Sequence, residues 1–285
     1  MKRLIIIAGP TAIGKTAYAI RLAKQLDTEV ISCDSRQFYR EMRIGVARPS
    51  EEELHTVPHH FIAIRSVTQP YNIYDYHRDA VATVNSLFQN HNDVIAVGGS
   101  GLYIDALLHG VSRLPDPSPE LRQRLQLLPL AEKQALLAQL DPEYYASVDR
   151  QNPVRLQRAL EICLTTQRPY SQILAENQRE RPVDDWTAEV QMLQMEPSKL
   201  RERIDQRVEQ MISDGLLDEV RSLLPYRNLP TLRTVGYREL FPVLDGTDTL
   251  DNAVARIKLN TWHYARKQMT WLRSKNHVIP SNNSH

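Results

Sequence analysis

The sequence predicts an α/β fold: a mostly parallel sheet covered by helices, interrupted by an all-helical insertion. Three observations predict it. Over the first hundred residues, short β-branched runs alternate with amphipathic stretches, the pattern of βαβ units. At Leu114-Pro115-Asp116-Pro117-Ser118-Pro119 the texture changes, because three prolines in five residues fit neither a helix interior nor a central strand. Beyond that point the chain reads as helix alone until a strand-like stretch returns.

The elements follow in order. Leu4 to Ala8 is an apolar, β-branched run, as in a strand buried on both faces. Met1-Lys2-Arg3 ahead of it resembles the charged start of a signal peptide. The apolar run is too short for one and enters Gly9-Pro10 without a small-x-small cleavage site. Lys15 to Leu26 carries helical spacing, Glu29 to Cys33 reads as a second strand, Tyr74 to Phe88 as a helix and Asp93 to Val97 as a third strand. Residues 120 to 178 read as entirely helical, with Asn152-Pro153 opening one helix as N-cap and first-turn proline. Ala188 to Met195 alternates like a strand. After Pro197 the pattern is mainly helical to Lys275, with Ile204, Val208, Met211 and Ile212 on one buried face. The expected division is a core of residues 1–115 and 185–285 with an insertion of 116–184.

Composition narrows the function. The 285 residues suffice for one large domain or a core with an insertion. No apolar run approaches a bilayer span, so no membrane association is expected. Two cysteines, Cys33 and Cys163, make neither a disulfide framework nor a CxxC zinc pair, and suit a reducing cytoplasm. The net charge is +1, yet from Asn252 onward there are six Lys/Arg and no Asp/Glu. A local basic surface suits an anionic partner; a solvated tail has the same composition.

The sharpest motif is Gly9-Pro10-Thr11-Ala12-Ile13-Gly14-Lys15-Thr16, which matches G-x-x-x-x-G-K-[ST] between a buried strand and a helix. Its backbone N–H groups and the helix N-terminus cradle phosphate, Lys15 neutralises it, and Thr16 is placed to bind Mg²⁺ directly or through water. The motif makes the core P-loop NTPase-like and implies a di- or triphosphate without saying which. Asp34 ends the second strand, where open parallel sheets bind ligands. It is read as a general base, a Mg²⁺ ligand or the cap of a following helix. The third strand ends in Gly98-Gly99-Ser100-Gly101 with no acid to hold Mg²⁺ and position water, which weakens the reading as a motor or GTPase. Those glycines suit close approach of a ligand or a tight turn.

With the phosphate loop, Asp34-Ser35-Arg36-Gln37-Phe38-Tyr39 and Gly98 to Tyr103 in view, the chain resembles the bacterial tRNA dimethylallyltransferase (IPP transferase) family. The likeness continues through 152–161, Arg203 to Val208, Arg233 to Glu239 and Ala265 to Arg273, in family order and over nearly the whole chain. The resemblance implies that the loop, Gly9 to Thr16, holds dimethylallyl diphosphate with Mg²⁺ at Thr16. It implies that the insertion clamps the tRNA anticodon stem-loop. The adenosine 3′ of the anticodon is then flipped out and its N6 attacks C1 of the dimethylallyl group. By motif match Asp34 accepts the N6 proton, and Thr11 and Arg207 assist the diphosphate. Asp34, Ser35, Arg36, Gln37, Ser100, Arg122, Val154, Arg155, Leu156, Gln157, Arg158, Arg233, Thr234, Val235, Gly236, Tyr237 and Arg238 touch tRNA. The sequence departs from the family at Arg48-Pro49, Trp262-His263, Ala63 and Ser66, and no Cys/His zinc finger follows residue 275, which favours the bacterial form.

Residue physics runs alongside. Arg203 and Arg207, four apart on one helix, suit a diphosphate; a solvated edge has the same spacing. Arg155 and Arg158 suit RNA phosphates. Arg256, Asn260, His263 and Lys267 form one polar stripe, of an RNA-binding or a solvated kind. His59-His60 is read as structural, and Tyr264 and Trp271 as packing. A monomer suffices, with no obligate protein partner. The alternatives are a P-loop small-molecule kinase, an isopentenyltransferase acting on free adenine nucleotides, and an RNA-binding module with a vestigial phosphate site.

Overall fold

A computed structural model of the protein describes residues 2–176, 186–274 and 278–280. Six strands form one sheet in the order β3-β2-β4-β1-β5-β6, and every pairing is parallel. In chain order the elements are β1 (Lys2–Ala8), α1 (Lys15–Leu26), β2 (Val30–Ser32), α2 (Glu51–Thr56), β3 (His59–His60), α3 (Ile73–Leu87), β4 (Asp93–Gly98) and α4 (Gly101–His109). Five further helices follow: α5 (Pro119–Leu127), α6 (Leu130–Leu140), α7 (Pro142–Ser147), α8 (Pro153–Thr166) and α9 (Tyr170–Glu176). The sheet resumes with β5 (Trp186–Met192). Then come α10 (Pro197–Ser213), α11 (Leu216–Ser222), α12 (Phe241–Leu244), α13 (Leu250–Arg273) and β6 (Val278–Pro280).

The chain divides into two compact units, Met1–Leu108 with Val183–His285, and His109–Pro182. The first boundary falls earlier than the expected residue 116, because α4 ends at His109, ahead of the prolines. The expected second boundary, at 184, lies outside the described residues. As expected the insertion is helical; among the described residues it holds five helices, α5 to α9, with Pro129, Pro142 and Pro153 at starts of α6, α7 and α8.

Strand alternation sorts the core of the first unit. Leu4, Ile6 and Ala8 pack on one face of β1 with residues of α3, α11 and α13. Ile5 and Ile7 pack on the other with residues of α1 and α10. Continuous apolarity in β1 is thus burial on both faces. β5 begins and ends earlier than expected, at Trp186 and Met192, although Leu193 N still donates to Ala8 O at 2.9 Å. On α10 the fully buried positions are Leu200, Ile204 and Val208. Met211 and Ile212 are half-buried and pack at the margin of the core. The stretch expected to be mainly helical after Pro197 is interrupted at 223–240 by turns and two 3₁₀ turns, Leu224–Tyr226 and Pro230–Leu232, where Pro225, Pro230 and Gly236 punctuate the chain.

The helical unit has its own core of Leu125, Leu137, Leu156, Ala159, Leu160 and Cys163. Asn152 caps α8 by accepting from Arg155 N, with Pro153 in the first turn. Among the described residues no helix is long and apolar enough to cross a membrane. Cys33 and Cys163 are free and buried.

Candidate active site

Three neighbouring strands, β2, β4 and β1, end side by side, and each delivers one chemical component at its carboxyl end. β1 runs into the phosphate loop, β2 into Asp34 and β4 into Gly98-Gly99. The loop opens α1 with Gly14 at the N-cap, and Ala12 and Gly14 take left-handed φ values of 63° and 98°, backbone of the kind from which anion-binding concavities are built. The Ile13 side chain is buried in the core, so only its backbone serves the loop, and Gly9 and Pro10 are likewise buried.

Above the loop lies a cavity of about 540 Å³. Its walls include Thr11, Lys15, Thr16, Asp34, Arg203 and Arg207. Lys15 Nζ donates to Pro10 O at 2.7 Å, and Arg207 donates to the Thr11 hydroxyl at 3.3 Å. Burial pushes the Lys15 ammonium down to about 8; Asp34 opposes that shift and Arg207 adds to it. Burial also lowers the Arg207 pKa, against Asp34 and with Arg203. Half-buried Lys15 and Arg207 and exposed Arg203 thus border one cavity that, among the described residues, only two carboxylates, Asp34 and Glu53, line, a balance suited to an anionic ligand.

A second cavity of about 360 Å³ adjoins the first. Thr11, Asp34, Val46, Ala47, Arg207 and Tyr264 line both, so these residues mark the junction. The second cavity is completed by Ser35, Arg36 and residues 233–236 and 238. Asp34 Oδ1 accepts from Arg36 N at 2.9 Å. Residues 35–38 form a turn and no helix starts there, so the helix-cap reading of Asp34 is corrected: its carboxylate closes a turn.

The structure corrects other expectations. Leu156 and Tyr237, expected to touch RNA, are 0 % exposed: Leu156 belongs to the helical core, and Tyr237 donates its hydroxyl to Glu219. Gly236 is buried too, although it lines the second cavity. Tyr264, expected to be packing, is 43 % exposed and stands at the junction of the cavities. Trp271 does pack, with its ring against Gly101. Gly98 and Gly99 line the first cavity, as close approach of a ligand needs, and Gly99 also admits the protein itself: a Cβ on it would lie 2.2 Å from Gln268 Nε2.

Several expected contacts are braced internally. Gln37 spends its amide on Ser32, Val46 and Ala47. Ser100 Oγ accepts from Ser35 N at 3.5 Å. On the late helix, Arg256 pairs with Asp248 and Asn260 with Glu239, while His263 and Lys267 stay exposed, so the polar stripe is half internal. His60 Nε2 meets Glu29 at 2.6 Å, a structural role at the sheet edge. In the helical unit Val154 and Arg155 are exposed. Glu161, 5 % exposed, gathers Gln157 at 3.0 Å, Arg158 at 3.3 Å and Arg122 at 3.7 Å.

Two residues escaped the sequence reading. Gln268 on α13 accepts from Thr11 N at 2.9 Å and donates to Gly99 O at 2.8 Å, pinning the phosphate loop to the end of β4. Glu219 on α11 accepts from Arg43 N, Ile44 N and Gly45 N. Their only sequence signal is polarity at an otherwise buried helical position.

An open parallel sheet with a phosphate loop, a cationic cavity and an adjoining second cavity that share one carboxylate defines a phosphate-loop enzyme of the group-transfer class. The model of the IPP transferase family matches residues 37–275. A tRNA dimethylallyltransferase of Flavobacterium psychrophilum is 42% identical over an alignment of 289 positions that covers 98% of this chain and 93% of that protein. The full-length tRNA isopentenylpyrophosphate transferase of Bacillus halodurans superposes with a TM-score of 0.70 at 33% identity, covering 99% of this chain and 90% of that one. The tRNA delta(2)-isopentenylpyrophosphate transferase of Staphylococcus epidermidis does so with a TM-score of 0.69 at 29% identity, covering 100% and 95%. The chain belongs to the IPP transferase family.

Proposed function

We propose that the protein transfers a dimethylallyl group from dimethylallyl diphosphate to N6 of the adenosine immediately 3′ of the anticodon in tRNA, releasing diphosphate. The observation that carries this reading is the pair of adjoining cavities with Thr11, Asp34 and Arg207 at their junction. A diphosphate fits the cationic cavity, and a flipped nucleoside fits the second. The reacting carbon then lies between them, beside the carboxylate.

The chemistry follows from those groups. The adenine exocyclic amine is a poor nucleophile, because its lone pair is delocalised into the ring. As N6 bonds to C1, the C1–O bond breaks and its electron pair leaves with the diphosphate. Lys15, Arg207 and the Thr11 hydroxyl that Arg207 orients meet that growing charge. The alkylated amine is cationic and passes its proton to Asp34. Oδ1 of Asp34 holds the turn, which leaves Oδ2 for the proton. Guanine presents a carbonyl oxygen at the equivalent position, which a carboxylate repels.

Magnesium fits the first cavity as a cation shared with substrate. Thr16 and Asp34 both line it, and among the described residues no cluster of three His, Cys, Asp or Glu could hold a metal unaided. It would supply further neutralisation of the leaving diphosphate. Arg155 and Arg122 offer backbone-phosphate contacts on the helical unit, which orient RNA without reading sequence. Two free buried cysteines suit a cytoplasmic location.

Mass analysis of tRNA after incubation with dimethylallyl diphosphate tests the reading. A prenyl-sized increase on a single adenosine is expected. Modification of free adenine nucleotides in its place, or steady ATP turnover without a prenyl donor, would overturn it.

A further inference from the structure

Part of the wall of the second cavity comes from two segments that have little regular structure of their own: 43–47, which lines it with Gly45, Val46 and Ala47, and 233–238, which lines it with residues 233–236 and 238. Such segments hold a fixed spacing only when something outside them ties them down. Glu219, on α11, is that tie. Its Oε2 accepts from Arg43 N at 3.0 Å and Ile44 N at 2.8 Å. Its Oε1 accepts from Gly45 N at 3.1 Å and from the Tyr237 hydroxyl at 2.6 Å. Two oxygens, each accepting two donors, use the whole acceptor capacity that a carboxylate offers in this plane.

Tyr237 joins the other wall to the same point. Its side chain is fully buried, and its ring lies so close to Gly45 that a Cβ there would fall 2.5 Å from a ring carbon. Burial and the Glu219 charge hold its hydroxyl in the protonated form, so it stays a donor. One residue of the 233–238 segment is therefore both packed on the 43–47 segment and hydrogen-bonded to the carboxylate that organises it. Glu219 lines neither cavity. Whatever it does for the reaction it does through the loops.

We propose that Glu219 is a positioning residue for the acceptor: with Tyr237 it sets the spacing between the 43–47 and 233–238 segments, and so the width of the cavity that receives the nucleoside. The inference rests on the reading of that cavity as the acceptor site. Of the tied segment only Val46 and Ala47 also border the donor cavity, whose charged groups rest on elements the tie does not reach: the phosphate loop, pinned by Gln268, and Arg203 on α10. Loss of the tie should therefore separate acceptor from donor.

The test uses the full chain, an anticodon stem-loop RNA and dimethylallyl diphosphate. Glu219→Gln keeps the shape but turns an NH₂ group toward two donors. It should raise KM for the RNA about tenfold or more, while the Kd of dimethylallyl diphosphate, read by calorimetry, stays within about twofold. Tyr237→Phe keeps three of the four donors and should raise the same KM by about two- to fivefold. The double variant should be no worse than Glu219→Gln, because both act on one tie. Rates are normalised to folded protein, well below each variant's Tm. A lowered Tm with unchanged KM would show a merely structural brace and overturn the proposal. A donor Kd that rises with KM would overturn it equally. Should Glu219→Gln fail to fold, Tyr237→Phe decides alone, and an unchanged KM refutes the tie. If the wild type transfers no prenyl group, the functional reading itself falls; if it does and the variants match it, only this inference falls.

Discussion

Asp34 carries two duties on one carboxylate: it closes a turn through Oδ1 and faces both cavities. Substitution by Asn separates them, because the amide oxygen still accepts from Arg36 N but the side chain takes no proton. Asp34→Asn should lower single-turnover prenyl transfer by roughly 10²- to 10⁴-fold with folding intact. Near wild-type turnover would remove Asp34 from the chemistry. Lys15 makes a pH prediction. Its folded pKa sits at about 8, below the ordinary lysine value, so in the free enzyme the ammonium is charged below about 8 and neutral above. An anion binds the charged form, so diphosphate affinity should be full below pH 8 and fall as pH rises through it. Calorimetric titration with diphosphate from pH 7 to about 9.5 checks this, and a flat profile across that window would reassign the shift. Asp34, Lys15 and Thr16 were legible because each sits in a contiguous motif next to a strand end. Gln268 and Glu219 were not, because their partners lie 257 and 174 to 176 residues away in sequence and only the folded chain brings them together. Tyr264 misled because helical spacing tells which face a ring is on, not whether that face meets core or cavity.

At the scale of elements, α8 shows what sequence pattern can and cannot carry. Its start was readable from Asn152-Pro153, and its buried face from Leu156, Leu160 and Cys163. The same periodicity reveals Leu156 as core, although a block-wise motif match sweeps it in with its neighbours. Arg155 and Arg158 differ in a way spacing hides. Arg155 is exposed, while Arg158 already meets Glu161 at 3.3 Å and would have to give up that partner to bind a phosphate. Replacing both with Ala should weaken RNA binding and reduce the slope of log K against log salt by about one to two, with Arg155 contributing more. Diphosphate affinity should stay the same. Unchanged RNA affinity at moderate salt would leave this helix face merely solvated. The expectation of a mainly helical chain after Pro197 holds for α10, α11 and α13 but not for the stretch before α12, where Pro230 opens a 3₁₀ turn and Gly236 takes a left-handed φ.

For the whole molecule, the two units keep separate cores. Leu160→Ala should therefore destabilise the helical unit by roughly 2–5 kcal/mol while leaving calorimetric dimethylallyl diphosphate binding within about twofold. A parallel loss of donor affinity would show that the cores are not independent. The α/β architecture was readable because a parallel sheet writes continuous apolar runs into β1 and β4. The strand order was not, because β4 slots between β2 and β1 by pairing that no local pattern encodes. The bond between Thr11 and Gln268 has a consequence in time. On a ribosome adding about 5–20 residues per second, the phosphate loop emerges roughly 13 to 50 s before the glutamine that pins it. Throughout that interval the nascent chain carries the loop sequence without its latch, so the cavity above the phosphate loop is among the last parts of the protein to be completed.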